Sequence, residues 1–269
     1  MTEQQTYQNS TPLLRSLTIQ GRVIGALLMR EILTRFGRHN IGFMWLFVEP
    51  MIFTLGIATL WSFVKLHHSS SFSIVAFAVT GYSSVLLWRN TVNHCLLAIT
   101  PNLSLMYHRN VRVIDVYASR IVLEMGGATI SFFVLSVIFI FIGWMNPPVN
   151  ILEVMFGWLM LMWFGAALAI TMGALSERSE VVEKLWSPIT YLIFPLSGAA
   201  FMVEWLPQSM RGFVLWLPMV HGVEIVREGY FGAAVRAHYD LAYMVTFCLC
   251  LTFIGLALAR ETGRRVEPE

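Results

Sequence analysis

Glu49, beside Pro50, and Arg89, followed by Asn90 and Asn93, stand inside stretches otherwise apolar enough to cross a bilayer. Charge in hydrocarbon is costly, so such a residue marks an ion or substrate pathway, or a structural pair. At 1.5 Å of rise per residue, both sit roughly 12–15 Å from the same membrane face. Glu49 and Arg89 are therefore expected to pair or to face one aqueous path, together with Trp45, Asn90 and Asn93. A structural ion pair and a translocation role both stay open at this point.

Other chemistry finds little support. A phosphate-binding loop needs G-x-x-x-x-G-K-[ST]. The chain has two lysines, Lys65 after Val64 and Lys184 after Glu183, and neither fits that motif. Any ATP-driven work therefore requires a separate ATP-binding chain. His221-Gly222-Val223-Glu224 puts two polar side chains on one helical face, but it lacks the second histidine of H-E-x-x-H, so no metal site is expected. Ser197-Gly198 has no G-x-S-x-G context, and small residues commonly serve helix packing in membranes. Cys95, Cys248 and Cys250 lie in apolar stretches without metal or disulfide spacing and read as packing residues. No catalytic residue is assigned. An intramembrane glycosyl- or acyltransferase would need an acid, base or nucleophile cluster at one depth, for which Glu49, Arg89 and His94 are poor material.

The elements that position these residues follow from composition. Hydrophobic residues make up 57% of the 269 positions and charged residues 13%, against roughly a quarter charged in soluble domains. The expected fold class is an all-α integral membrane protein. Six spans of about 20 residues are expected at Ile41–Phe63, Phe72–Ile99, Ile121–Met145, Ile151–Leu175, Trp186–Val203 and Tyr239–Ala259. Phe72–Ile99 is the most polar of them. Lysines and arginines in the flanking segments divide thirteen against four, with Arg89 inside a span. That imbalance is expected to hold both termini in the cytoplasm. The first forty residues carry five arginines and no cleavage-site pattern, so a cleaved signal peptide is not expected. A net charge of +2 gives no argument for nucleic acid.

The segments between spans are informative. Leu13–Phe36 mixes leucines and isoleucines with arginines and is expected to be an amphipathic helix at the cytoplasmic interface, with Arg30, Arg35 and Arg38 at its basic end. Glu204–His238 holds two short apolar runs broken by Pro207, Gly212, Pro218, Gly222 and Gly229. A re-entrant hairpin in the outer leaflet and a surface loop with an interfacial helix both fit this pattern. The aromatic residues suit membrane-interface belts and sugar-lined conduits alike, and for any single ring the belt is the favoured reading.

Arg35-Phe36, then Ile41-Gly42-Phe43-Met44-Trp45 and Glu49-Pro50, resemble the opening of type-2 ABC exporter permeases. Trp88-Arg89-Asn90, Tyr107-His108-Arg109-Asn110-Val111 with Asp115, Pro195–Phe201, Trp216-Leu217-Pro218 and Gly222–Phe231 resemble the capsular polysaccharide export branch, from about residue 13 to 260. The resemblance implies a homodimeric inner-membrane permease of a Gram-negative bacterium, joined to two ATP-binding subunits that hold ATP and Mg. Its cargo would be a lipid-linked capsular polysaccharide, handed on to a periplasmic adaptor and an outer-membrane channel. Residues 100–120 would form the coupling segment, with Leu105, Tyr107, His108, Arg109 and Asp115 facing the ATPase. Trp205, Pro207, Trp216, Pro218 and Glu224 would belong to an outer gate hairpin. A permease for O-antigen, a teichoic-acid precursor or a drug is the alternative within the class. One departure concerns the cargo's charge, because Arg89 is the one basic residue expected inside the spans.

Overall fold

The structure is a computed structural model that describes residues 13–36, 44, 48, 51–57, 59–60, 73–108 and 111–266. Among these every regular element is a helix. The first helix, α1 (Leu13–Phe36), has the predicted bounds. It packs on the third predicted span through Leu27 and Val23, while Leu17, Ile19, Met29 and Leu33 stay exposed. Most of the predicted span Ile41–Phe63 lies outside the described residues.

Helix α2 (Ile74–Cys95) begins where the Ser73 hydroxyl accepts the Ala76 N–H. Its 22 residues correspond to about 33 Å. A 3-10 turn (Thr100–Asn102) and the short helix α3 (Leu103–His108) follow. Helix α4 (Val113–Ile142) starts eight residues before the predicted Ile121, because the Asp115 carboxylate accepts the Arg112 N–H at 3.0 Å and caps the first turn. The end of the expected coupling segment is thus the start of this helix. It stops at Gly143, whose φ of +81° suits glycine. Helix α5 (Ile151–Ser176) matches its predicted span to within one residue, and the Asn150 side chain caps it.

The predicted span Trp186–Val203 is displaced. Helix α6 runs Glu180–Ile193, continues as a 3-10 turn to Leu196, and gives way to extended backbone at Met202. Pro195 removes a backbone donor and disfavours helix at the residue before it. Residues 203–234 form two short helices, α7 (Gln208–Val214) and α8 (Pro218–Phe231), between 3-10 turns. The last helix, α9 (Leu241–Val266), continues beyond the predicted Ala259. Among the described helices, Val113–Ile142, Ile151–Ser176 and Leu241–Arg265 are both long and apolar enough to cross a membrane.

Helix α5 is the central post, in contact with α2, α8 and α9. Trp88 meets Phe164 edge-on at 6.1 Å, and Trp158 stacks on Phe132 at 4.5 Å. The indole of Trp158 donates to Thr129 on α4 and that of Trp163 to Thr252 on α9, at 3.0 and 3.1 Å. Such interhelical hydrogen bonds and close packing hold membrane helices together, since lipid removes most of the hydrophobic drive between them. Cys95 and Cys248 are buried as packing residues, whereas Cys250 is exposed.

Candidate functional site

Helix α2 carries Tyr82, Arg89 and Asn93 at seven- and four-residue steps, which a 3.6-residue turn brings to one face. That face meets α6. The Arg89 guanidinium lies 4.7 Å from the Tyr191 ring centre and 5.7 Å from that of Phe194. Two turns up, Tyr82 packs 5.5 Å from Phe194 and 6.2 Å from Phe53. One turn down, Asn93 Oδ1 accepts the Trp186 indole N–H at 2.9 Å. The result is a stripe of rings with one cation in it, and Tyr191 is 64% exposed. Aromatic faces attract both a guanidinium and the C–H faces of sugar rings. Among the described residues no carboxylate pairs with Arg89. Trp45 and Glu49 lie outside the described residues, and the expected Glu49–Arg89 pairing with them. Asn90 is half-buried beside Arg89, and its carbonyl meets the His94 ring at 3.0 Å. The expected path did not include Tyr82, Tyr191 and Phe194; the seven-residue step from Tyr82 to Arg89 was the available signal.

At the basic end, α1 is fastened to its neighbours. Arg35 holds Glu31 at 2.8 Å and also Glu124, which is 94% buried on α4. Arg120 reaches Glu31 at 3.2 Å, and His94 approaches Glu124 at 3.2 Å. Arg30 donates to Asn102, and Gln20 donates to Asp115 at 3.0 Å. Of the arginines expected at the basic end of the interface helix, Arg30 and Arg35 bond inward to Asn102, Glu31 and Glu124; Arg38 is outside the described residues. Asp115 serves as cap and as acceptor for α1, and Leu105 packs against the core. Tyr107 and His108 end α3, and Arg109 lies outside the described residues. Glu124 was overlooked, although a scan of the predicted span Ile121–Met145 for charge would have found it.

Between α2 and the 3-10 turn, Leu97 adopts a φ of +46°. A non-glycine residue in that region is strained and persists where surrounding bonds over-determine it. Here the Ser176 hydroxyl accepts the Leu97 N–H at 3.0 Å. One carboxylate, Glu177, accepts the Ile99 N–H at 2.7 Å and the Thr100 hydroxyl at 3.0 Å. The end of α5 therefore fixes the turn that leads into α3.

At the opposite end, α8 is almost wholly buried, including His221, Glu224 and Arg227. Arg227 is 0% exposed, so a second cation is buried in the protein, outside the predicted spans. Its guanidinium lies 3.9 Å from the Phe77 ring centre and donates to the carbonyls of Ala199 and Phe201. Glu224 accepts the N–H groups of Val203 and His238 at 3.3 and 3.1 Å. His221 accepts the Asp240 N–H on Nδ1 at 2.9 Å and donates from Nε2 to the Leu215 carbonyl at 2.8 Å. Of the other hairpin residues, Trp205 stacks on Phe77 at 5.1 Å, Pro207 and Pro218 start α7 and α8, and Trp216 is 80% exposed.

Residues 22–231 match the family model described as ABC-2 type transporter. The chain is 44% identical to the capsule polysaccharide export inner-membrane protein CtrC of Neisseria meningitidis serogroup A, over 97% of this chain and 98% of that protein. It is 40% identical to BexB of Haemophilus influenzae, also named a capsule polysaccharide export inner-membrane protein, over 98% of this chain and 99% of the relative. The polysialic acid transport protein KpsM of Escherichia coli is 25% identical over 90% of this chain and 94% of its own length. Matched over most of its length by the family model and end to end by two relatives, the chain belongs to the ABC-2 type transporter family.

Proposed function

We propose that this chain is the membrane-spanning subunit of an exporter that carries lipid-linked capsular polysaccharide across a bacterial inner membrane. The observation that carries this reading is the end-to-end 44% identity to a protein named for capsule polysaccharide export. ATP and Mg belong to a separate ATP-binding subunit, in two copies around a homodimer of this chain. Six crossings with both termini in the cytoplasm, a re-entrant α7–α8 hairpin on the far side, and hand-over to a periplasmic adaptor and an outer-membrane channel complete the proposal.

The proposed path runs along the α2–α6 face. Tyr82, Phe194 and Tyr191 offer rings to sugar C–H surfaces, and Arg89 offers a charge to acidic groups of the polymer or its lipid phosphate. A desolvated cation beside rings contributes about 1–2 kcal/mol, so Arg89→Ala is expected to slow transport of an acidic polymer by about tenfold. Arg89→Lys, which keeps the charge and loses the guanidinium's planar fork, is expected to fall between. Unchanged transport by Arg89→Ala would remove this residue from the path.

Energy enters through residues 100–120, held by α1 and by Glu177. Glu177→Ala removes two hydrogen bonds to a charged acceptor, worth about 1.5–3 kcal/mol each. The expected result is continued ATP hydrolysis with less polymer moved per ATP. Transport that stays in step with hydrolysis would count against this role.

The test of the whole reading is reconstitution of this chain with its ATP-binding subunit in proteoliposomes. ATP-dependent movement of lipid-linked polysaccharide into the lumen is the expected result. Turnover of a sugar or acyl donor by this chain alone would overturn it in favour of a transferase.

A further inference from the structure

We propose that His221, Glu224 and Arg227 are positioning residues that clasp the hairpin to the ends of α6 and α9, so that the outer end closes as one body. The inference rests on the exporter reading and adds to it the groups that make closure rigid.

The spacing is three residues, and each step of three turns an α-helix by about 300°. Successive side chains therefore stand about 60° apart, and the three cover one broad face of α8 and reach three different segments. Arg227 takes the carbonyls of Ala199 and Phe201, in the extended chain after α6. Glu224 takes the N–H groups of Val203, in that same chain, and His238, just before α9. His221 takes the N–H of Asp240, before α9, and the carbonyl of Leu215, between α7 and α8. Each of these backbone groups lies outside the α-helices. Such groups are costly to leave unpaired away from water, which explains why a buried helix keeps three ionisable residues. Bond direction also fixes the imidazole: Nδ1 accepts and Nε2 donates, the pattern of one neutral tautomer.

A purely local role would involve the hairpin alone. Here the same bonds join it to the segments that end α6 and begin α9. The conduit helix α2 is in contact as well. The Phe77 ring centre lies 3.9 Å from the Arg227 guanidinium, and a Cβ on Gly81 would meet the Ala199 carbonyl and stand 2.6 Å from Arg227 Nη2. Movement of α2 at this level thus presses directly on the guanidinium. Lysine cannot replace it, because one ammonium does not span two carbonyls in a fixed fork while keeping the contact with the ring.

The test uses the complete complex with its ATP-binding subunits in proteoliposomes loaded with a small fluorescent solute. Arg227→Lys and Gly81→Ala act on the same contact from different helices. Both are expected to leak solute without ATP about tenfold faster than wild type and to move less polymer per ATP hydrolysed. Phe77→Leu keeps every hydrogen bond and loses the ring, and is expected to leak to a smaller degree. Tight vesicles and normal yield for all three overturn the clasp. So does failure of Arg227→Lys to assemble while Gly81→Ala and Phe77→Leu behave as wild type, because that pattern marks folding alone. A wild-type complex that holds solute but moves no polysaccharide, with leaking variants, overturns the cargo assignment and leaves the clasp standing.

Discussion

Replacing Glu124 by alanine is expected to release α1 from the bundle and to slow transport by the reconstituted complex at least about tenfold. Glu124 is 94% buried and binds Arg35, whose side chain is 20% exposed, while His94 approaches from α2. Exposed ion pairs contribute about 0–1 kcal/mol, and this pair is well inside that boundary. Removing one partner of a buried pair costs about 3–5 kcal/mol, because the other charge stays desolvated. Arg35 retains Glu31, so the lower part of that range, about 3 kcal/mol, is expected. The same carboxylate joins three helices, so the loss spreads beyond the pair. Glu124→Gln keeps an acceptor for Arg35 and should be milder. Hydrogen exchange over residues 13–36 is the direct measurement: faster exchange in Glu124→Ala, with intermediate values for Glu124→Gln. Exchange unchanged from wild type in both variants would show that α1 is held by its apolar contacts and the remaining polar bonds.

How much of this was legible in the sequence depends on which force sets each feature. Helix α1 emerged with its exact ends because arginines and leucines interleave, and α5 because hydropathy alone defines it. Helix α6 did not. Its start carries Glu180, Glu183 and Lys184, which a hydropathy scan discards even though acids favour a helix N-terminus. Its end was overrun because Ala199–Val203 is apolar yet follows Pro195 and a glycine at φ +83°. The site shows the same division. Arg89 stood out as charge in an apolar run, and the structure supplies its neighbours. Arg227 was counted with loop charges because prolines and glycines surround it; its burial is made by α2 and the chain after α6, which no local pattern encodes. Leu97 has no sequence signal, since its turn is forced by Ser176, 79 positions from Leu97, and by Glu177, 78 positions from Ile99.

Gly229→Val is expected to cause the largest loss of stability, through backbone contact between α5 and α8. A Cβ on Gly229 would lie 2.5 Å from the Val154 nitrogen and 2.9 Å from the Glu153 carbonyl carbon. Backbone cannot swing aside as a side-chain tip can, so the helices must separate. Separation also strains the hydrogen bonds from the N–H groups of Asn150 and Val149 to the carbonyls of Gly229 and Tyr230, at 2.8 and 3.1 Å. The contact is reciprocal one step along, where Gly157 on α5 would place a Cβ 2.8 Å from the Val226 nitrogen. Two glycines on facing helices thus let the backbones approach, the small-residue packing that membranes favour. Overpacking a tight interior costs about 1–3 kcal/mol, and an added isopropyl group against backbone puts Gly229→Val at about 3 kcal/mol or above. Gly157→Ala should show a smaller loss in the same assay, thermal melting of the detergent-solubilised complex. Gly212, with open space where a Cβ would go, supplies the contrast: its alanine variant should melt no lower than wild type, because alanine relieves glycine's entropy cost in a helix. Equal melting of Gly229→Val and wild type would mean that α8 is held in place by its polar clasp and tolerates a gap against α5. The order Gly229→Val below Gly157→Ala below Gly212→Ala ties the position of the clasp to the central post, since His221, Glu224 and Arg227 reach their partners only while α8 lies against it.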